Sequence, residues 1–264
     1  MSKMIRLSSG VSVPYVEQGD ANGIPVLLLH GFGGSWRSFA ALLAYLSPSI
    51  HAFAFTQRGH GQASKPATGY RLSDFAADAV AFLDALGIEA AVIAGHSMGS
   101  AIARRAAIDY PNRMRGLVLI GAAVDAPGDP TVRAFWDTTV SSLSDPIDPA
   151  LVQRFVDSTM GRPLPPSEVE SMAQHMLQVP ARVWRELWQD RLRGEIAGQL
   201  NRVTVPTLVV WGDQDNRASR EDQSTLASAV AGARLVVYPG VGHAVHREAP
   251  EHLATDIESL VKAL

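Results

Sequence analysis

Ser97 stands in Gly95-His96-Ser97-Met98-Gly99, behind the apolar run Ala91-Val92-Ile93-Ala94 and ahead of a stretch, Ser100 to Asp109, patterned for a helix. A serine on a tight turn between a strand and a helix is the G-x-S-x-G nucleophile elbow. Such a turn strains the serine backbone and leaves no room for bulk on either side, which accounts for Gly95 and Gly99. It lifts the hydroxyl above the strand at a helix N-terminus, where developing negative charge is favoured. Five-residue matches also arise in incidental glycine turns. The strand before and the helix after give this one its weight.

A serine hydroxyl is a poor nucleophile until a base takes its proton and an acid orients that base. His243 lies in Pro239-Gly240-Val241-Gly242-His243, the loop after the last expected strand, on the same sheet edge as Ser97. His246, in a polar stretch, reads as a solvated histidine, and His96 as a packing or capping residue that points away from the turn. His51, His60, His175 and His252 lack a comparable loop. For the acid, Asp215 in Trp211-Gly212-Asp213-Gln214-Asp215 is preferred over Asp213, expected to fix the turn through its own backbone, and over Asp125 after the strand ending at Ile120. The chain order is then Ser, Asp, His.

A tetrahedral intermediate also needs donors for its oxyanion. The Met98 N–H, just after the nucleophile, is one. The second is assigned to Phe32, in His30-Gly31-Phe32-Gly33-Gly34-Ser35, where glycines allow close approach of the backbone. Gly31 to Gly34 has the spacing of neither a phosphate loop nor a dinucleotide fingerprint.

These groups must be held by a scaffold. Val26-Leu27-Leu28-Leu29, Ala52 to Phe55, Gly116 to Ile120, Thr207 to Trp211 and Leu235 to Tyr238 are continuous apolar runs, the mark of strands covered on both faces. Residues 4–8 and 11–17 read as two further strands joined at Ser9-Gly10. Helices are expected from Ser35 to about Leu46, from a Ser73 cap to about Leu86, from Arg220 to Val230 and from Pro250 to Leu264. Alternation of strand and helix implies a parallel sheet. It is interrupted by a proline-punctuated helical block, read as a lid over residues 124–200. Residues 1–123 and 201–264 then form the core.

His30-Gly31-Phe32-Gly33, Arg58-Gly59-His60-Gly61, the elbow, Gly212-Asp213-Gln214-Asp215 and Gly242-His243, in this order, resemble the α/β-hydrolase superfamily over nearly the whole chain. The resemblance implies a mostly parallel sheet of eight strands flanked by helices, with the lid inserted after the sixth strand. Thr56 departs from the pattern, since many relatives carry aspartate there; that residue is not catalytic in the family. Relatives that open epoxides or remove halides carry aspartate as nucleophile, so Ser97 argues against both.

The expected activity is hydrolysis of a carboxylic ester or lactone through an acyl-enzyme, with water as second substrate and no metal or organic cofactor. The alternatives are C–C hydrolysis of a vinylogous diketone with the same triad, a cofactor-free peroxidase, or a non-catalytic receptor for a small ligand. Trp36, Phe135, Trp136, Trp184 and Trp188 are candidate walls of the substrate site, and with Met160, Met172 and Met176 suggest a largely apolar, small-molecule substrate.

The 264 residues, 47% hydrophobic, suit one globular unit with a sizeable core. A formal charge of −3 offers no basic surface for nucleic acid or an anionic membrane. The absence of cysteine removes disulfides, thiolate metal sites and a cysteine nucleophile together. With no apolar signal core and no membrane-length run, a soluble cytoplasmic protein is expected, monomer or homodimer left open.

Overall fold

The computed structural model describes residues 2–124, 127–194 and 196–264. The chain opens with β1 (Lys3–Arg6) and β2 (Ser12–Gln18). Then β3 (Ile24–Leu29), α1 (Ala40–Tyr45), β4 (Ile50–Phe55), α2 (Leu72–Ala85), β5 (Ala91–His96), α3 (Met98–Asp109) and β6 (Met114–Ile120) alternate. Helices α4 (Pro130–Thr138), α5 (Pro149–Asp157), α6 (Pro166–Leu177) and α7 (Ala181–Arg193) follow, with no strand among the described residues between them. The alternation resumes with β7 (Thr207–Gly212), α8 (Arg220–Ala229) and β8 (Arg234–Tyr238), and closes on α9 (Val245–Glu248) and α10 (Pro250–Lys262).

One eight-stranded sheet results, in the order β1-β2-β4-β3-β5-β6-β7-β8. Its first two pairings are antiparallel and the rest parallel. The central strands bury both faces, as their unbroken apolar runs require. In β3, Leu27 and Leu29 join the core under α2 and α3, while Val26 and Leu28 join the core under α1 and α10. On α10 the stripe Leu253, Ala254, Ile257 and Val261 supplies the second core at helical spacing.

Two expectations about helix ends change. α2 begins at Leu72, so Ser73 is not its cap. The Leu72 N–H donates instead to the Asp190 carboxylate of α7, 2.9 Å away, joining the helical segment to the core. The segment after Ser35 opens as a short 3-10 turn, Trp36–Phe39, before α1. That turn carries Trp36 to the opposite face of the sheet from the site, beside the α1 and α10 core. The Trp36 N–H donates to Thr56 Oγ1 at 3.2 Å, so the unusual threonine closes this turn. Among the described residues no helix is long and apolar enough to cross a membrane.

Candidate active site

Ser97 has φ 51° and ψ −116°, and is the one non-glycine among the described residues with positive φ. The strain comes from the elbow and is held by its neighbours. A Cβ on Gly95 would lie 2.0 Å from the Gly99 carbonyl oxygen, and one on Gly99 would lie 2.0 Å from the Leu29 carbonyl oxygen. Backbone stands where any side chain would go, so both positions require glycine. The first bonds to the Ser97 carbonyl come from Ser100 and Ala101, leaving the Met98 N–H among the donors that a helix cannot satisfy internally. Phe32 and Met98 border the same cavity as Ser97.

That cavity measures about 880 Å³ and also has Asp215 and His243 in its wall, a volume suited to a small organic ligand. Asp215 Oδ2 lies 2.8 Å from His243 Nδ1, with both side chains buried. The other carboxylate oxygen, Oδ1, accepts the backbone N–H groups of Arg217 and Ala218 at 2.7 and 3.0 Å. Three donors therefore fix a carboxylate whose second oxygen faces the imidazole. Asp213 is placed elsewhere. Its Oδ1 accepts the Gly240 N–H at 2.7 Å, so it ties the loop after β7 to the loop after β8 rather than turning on its own backbone. The third acid candidate, Asp125, lies outside the described residues.

The His243 loop is gripped from several sides. Glu248 Oε2 accepts the Gly242 N–H at 2.8 Å, and the Ala244 N–H donates to the Thr159 carbonyl at 3.1 Å. Glu248 also accepts the N–H groups of Gly161 and Arg162. Gly161 and Gly242 approach so closely that a Cβ on either would fall within 2.5 Å of the other's backbone nitrogen. The turn after α5 and the loop bearing His243 are thus one stitched unit.

Four further histidines, His30, His60, His96 and His246, are buried. His246, expected at the surface, is 2% exposed. Its ring packs 4.2 Å from His96 and 5.2 Å from Phe39 because α9 turns it inward beneath the cavity. His96 is buried as expected, and its Nε2 lies 2.9 Å from the His243 carbonyl oxygen. Burial holds His30, His96 and His246 well below the usual imidazole range, with the neighbouring histidines acting in the same direction. Burial lowers His60 to about 4.

The aromatic candidates separate. Phe135 and Trp188 border the cavity. Trp184 does not: it is fully buried, 4.4 Å from the Phe32 ring and stacked on Trp188 at 5.5 Å, so it supports the wall from behind. Trp136 packs against the core of the helical segment, and Trp36 lies across the sheet. Sequence reasoning missed Phe155, Arg191 and Arg217, which all border the cavity. Proximity of Arg217 to Asp215 in sequence was the available signal. Phe155 and Arg191 reach the site only through helix packing. Among the described residues no cluster of acidic or histidine side chains is arranged to hold a metal ion.

Residues 24–250 match the family model of the alpha/beta hydrolase fold. The chain belongs to that family. Lipase 1 of Psychrobacter immobilis is 28% identical, over 97% of this chain and 83% of its own length. The 2-hydroxymuconate semialdehyde hydrolase of Pseudomonas sp. (strain CF600) is 30% identical, over 84% of this chain and 81% of its own. Among solved structures, an esterase from Exiguobacterium antarcticum matches with a TM-score of 0.88 over 99% of this chain and 100% of its own. At 22% identity that likeness is one of fold. The family and these relatives support a hydrolase.

Proposed function

We propose that this protein is a serine hydrolase that cleaves a carboxylic ester or lactone of a small, largely apolar substrate through an acyl-enzyme. The observation that carries the reading is the 2.8 Å contact between Asp215 Oδ2 and His243 Nδ1 on the cavity that also holds the strained Ser97. Ser97 Oγ adds to the substrate carbonyl carbon while its proton passes to His243 Nε2. The Phe32 and Met98 N–H groups receive the resulting oxyanion. Collapse expels the alcohol, which takes the proton from His243. Water, deprotonated by His243, then adds to the acyl-enzyme, and collapse frees the acid and Ser97. Asp215 holds the Nδ1–H tautomer and offsets the imidazolium charge in both halves. In this reading residues 124–200 act as a lid, contributing Phe135, Phe155 and Trp188 as apolar walls.

C–C hydrolysis of a vinylogous diketone is the second reading, favoured by the 30% identity to the semialdehyde hydrolase. A fluorophosphonate probe followed by peptide mass spectrometry tests the mechanism. The label is expected on Ser97 and lost in Ser97→Ala, together with p-nitrophenyl ester hydrolysis. Labelling elsewhere, or full activity in Ser97→Ala, removes the serine mechanism. Turnover of a diketone with no ester turnover selects the second reading.

A further inference from the structure

Two groups of side chains border the cavity, and they pack separately. The aromatic group centres on Phe32, whose ring meets Trp188 at 4.8 Å and Phe155 at 6.0 Å, with Phe135 5.5 Å from Trp188. The polar group starts at His243. Its ring lies 4.8 Å from His96, His96 lies 4.2 Å from His246, and His246 lies 5.2 Å from Phe39, the neighbour of Ser38. Ser35, Ser38, His96 and His246 all border the cavity and are all buried. The 3-10 turn that carries Trp36 away from the site packs against α9, so Ser38 and His246 reach the cavity from adjoining elements.

This polar stretch has hydrogen-bonding capacity that the protein does not use. Ser35 Oγ accepts the Arg37 N–H at 3.2 Å, and Ser38 Oγ accepts the Ser35 N–H at 3.3 Å. Neither hydroxyl donates to a protein group among the described residues. His246 Nδ1 is enclosed without a partner, and Nε2 bonds no protein group among those residues. An apolar chain laid against these groups leaves them unpaired, whereas buried polar groups are ordinarily satisfied. Burial holds the His96 and His246 imidazoles well below their usual range, so both are neutral at pH 7. Arg247 borders the cavity beside them, and its Nη1 is paired with Glu168 Oε2 at 3.0 Å. Hydroxyls and neutral imidazoles suit a small neutral molecule that both donates and accepts. Water does both, and settles where about two to four polar groups converge.

We propose that Ser35, Ser38 and His246 hold a short chain of water that supplies the hydrolytic molecule to His243, by a route separate from the aromatic walls that take the substrate. The proposal rests on the acyl-enzyme reading of the same cavity and adds the entry of its second substrate. Once the alcohol has left, a water from this chain gives its proton to His243 Nε2 and its oxygen to the acyl carbon. The bond from that carbon to Ser97 Oγ then breaks, and the proton passes from His243 to Ser97 Oγ.

The test compares polar side chains with apolar ones of the same shape. Ser38→Thr and Ser38→Val differ by a hydroxyl for a methyl, and His246→Gln and His246→Met have similar lengths. Each protein is given p-nitrophenyl butyrate in the presence of n-butanol. In an acyl-enzyme mechanism kcat/KM reports acylation, and the ratio of butyric acid to butyl butyrate reports how water competes with an apolar alcohol for the acyl group. That ratio is expected to fall about tenfold in Ser38→Val against Ser38→Thr and in His246→Met against His246→Gln, with kcat/KM little changed within each pair. A crystal structure of the wild-type protein is expected to show water bonded to Ser38 Oγ and to His246. Butyrylation of Ser97 with a ratio equal within both pairs overturns the route and leaves the hydrolase. A fall in kcat/KM that matches the fall in ratio and tracks melting temperature makes these residues structural and overturns the route. A wild-type protein that takes neither a butyryl group nor a fluorophosphonate on Ser97 overturns the acyl-enzyme itself, and the route with it.

Discussion

His96 Nε2 lies 2.9 Å from the carbonyl oxygen of His243, joining the residue before Ser97 to the residue that faces Asp215. A carbonyl accepts, so Nε2 carries the proton and His96 is the neutral Nε2–H tautomer. The two rings also sit 4.8 Å apart. Without His96 the His243 loop keeps Glu248 and Thr159 but loses its tie to the elbow. His96→Ala is expected to lower kcat about tenfold with KM little changed, and His96→Gln, which restores an amide donor, to recover part of it. Steady-state kinetics well below each variant's melting temperature check this. A rise in KM alone would show that the contact does not position His243.

The acid assignment separates two aspartates of one loop. Asp215→Asn is expected to slow turnover by a factor on the order of 10³–10⁴, because an amide favours the wrong imidazole tautomer. Asp213→Asn weakens the hydrogen bonds from the Gly240 N–H and the Gln214 amide, at about 1 kcal/mol of stability. Single-turnover rates and denaturant melts of both variants distinguish them, and reversed severities would reassign the acid.

Gly95→Ala and Gly99→Ala each force a methyl group to 2.0 Å from a carbonyl oxygen. The backbone must move, and a loss on the order of 3 kcal/mol or more is expected from each. Gly87, at positive φ but with nothing within 4 Å of an added Cβ, is expected to tolerate alanine at roughly 1 kcal/mol. Equal melting temperatures for Gly95→Ala and Gly87→Ala would remove the elbow argument.

The buried histidines make stability sensitive to mild acid. In the unfolded chain they titrate near 6.5, whereas burial holds His60 near 4 and His30, His96 and His246 well below 6.5 when folded. The unfolded state therefore binds more protons below about pH 6.5. The stability is full above that pH and is lost as pH falls through it. His60 alone costs about 2 kcal/mol by pH 5, and His30, His96 and His246 act in the same direction. Urea midpoints between pH 8 and pH 5 are expected to fall steeply. A flat profile would mean that the cluster is solvated.

Trp184 and Trp188 are expected to fail differently. Trp184→Ala opens a hole behind Phe32 and costs about 3–5 kcal/mol of stability. Trp188→Ala removes a cavity wall, and is expected to lower kcat/KM for bulky esters by about 1–3 kcal/mol relative to short ones. Thermal melts and two ester series give the comparison. The same loss on every substrate in Trp188→Ala, tracking its melting temperature, would make it core.

What was legible followed from local pattern. Continuous apolar runs mark the central strands because both faces are covered, and the elbow is readable because Gly95 and Gly99 are demanded by backbone contact next to Ser97. The errors come from packing between distant segments. His246 sits among polar residues, yet a single turn of α9 rolls it beneath His96. Trp36 follows the glycine-rich His30–Ser35 loop in sequence, but a 3-10 turn takes it across the sheet. Ser73 looked like the α2 cap, while Asp190 from far along the chain bonds the first N–H. No local signal encodes a partner that far away.

The seam between the turn at Gly161-Arg162 and the loop carrying His243 has a consequence for motion. The two backbones touch, and the Glu248 carboxylate holds N–H groups of both. On the proposed reading of residues 124–200 as a lid, that lid cannot rise along the seam without drawing the imidazole away from Asp215. The seam is accordingly a fixed pivot, and any breathing that admits a substrate or frees a product belongs to the opposite rim of the cavity.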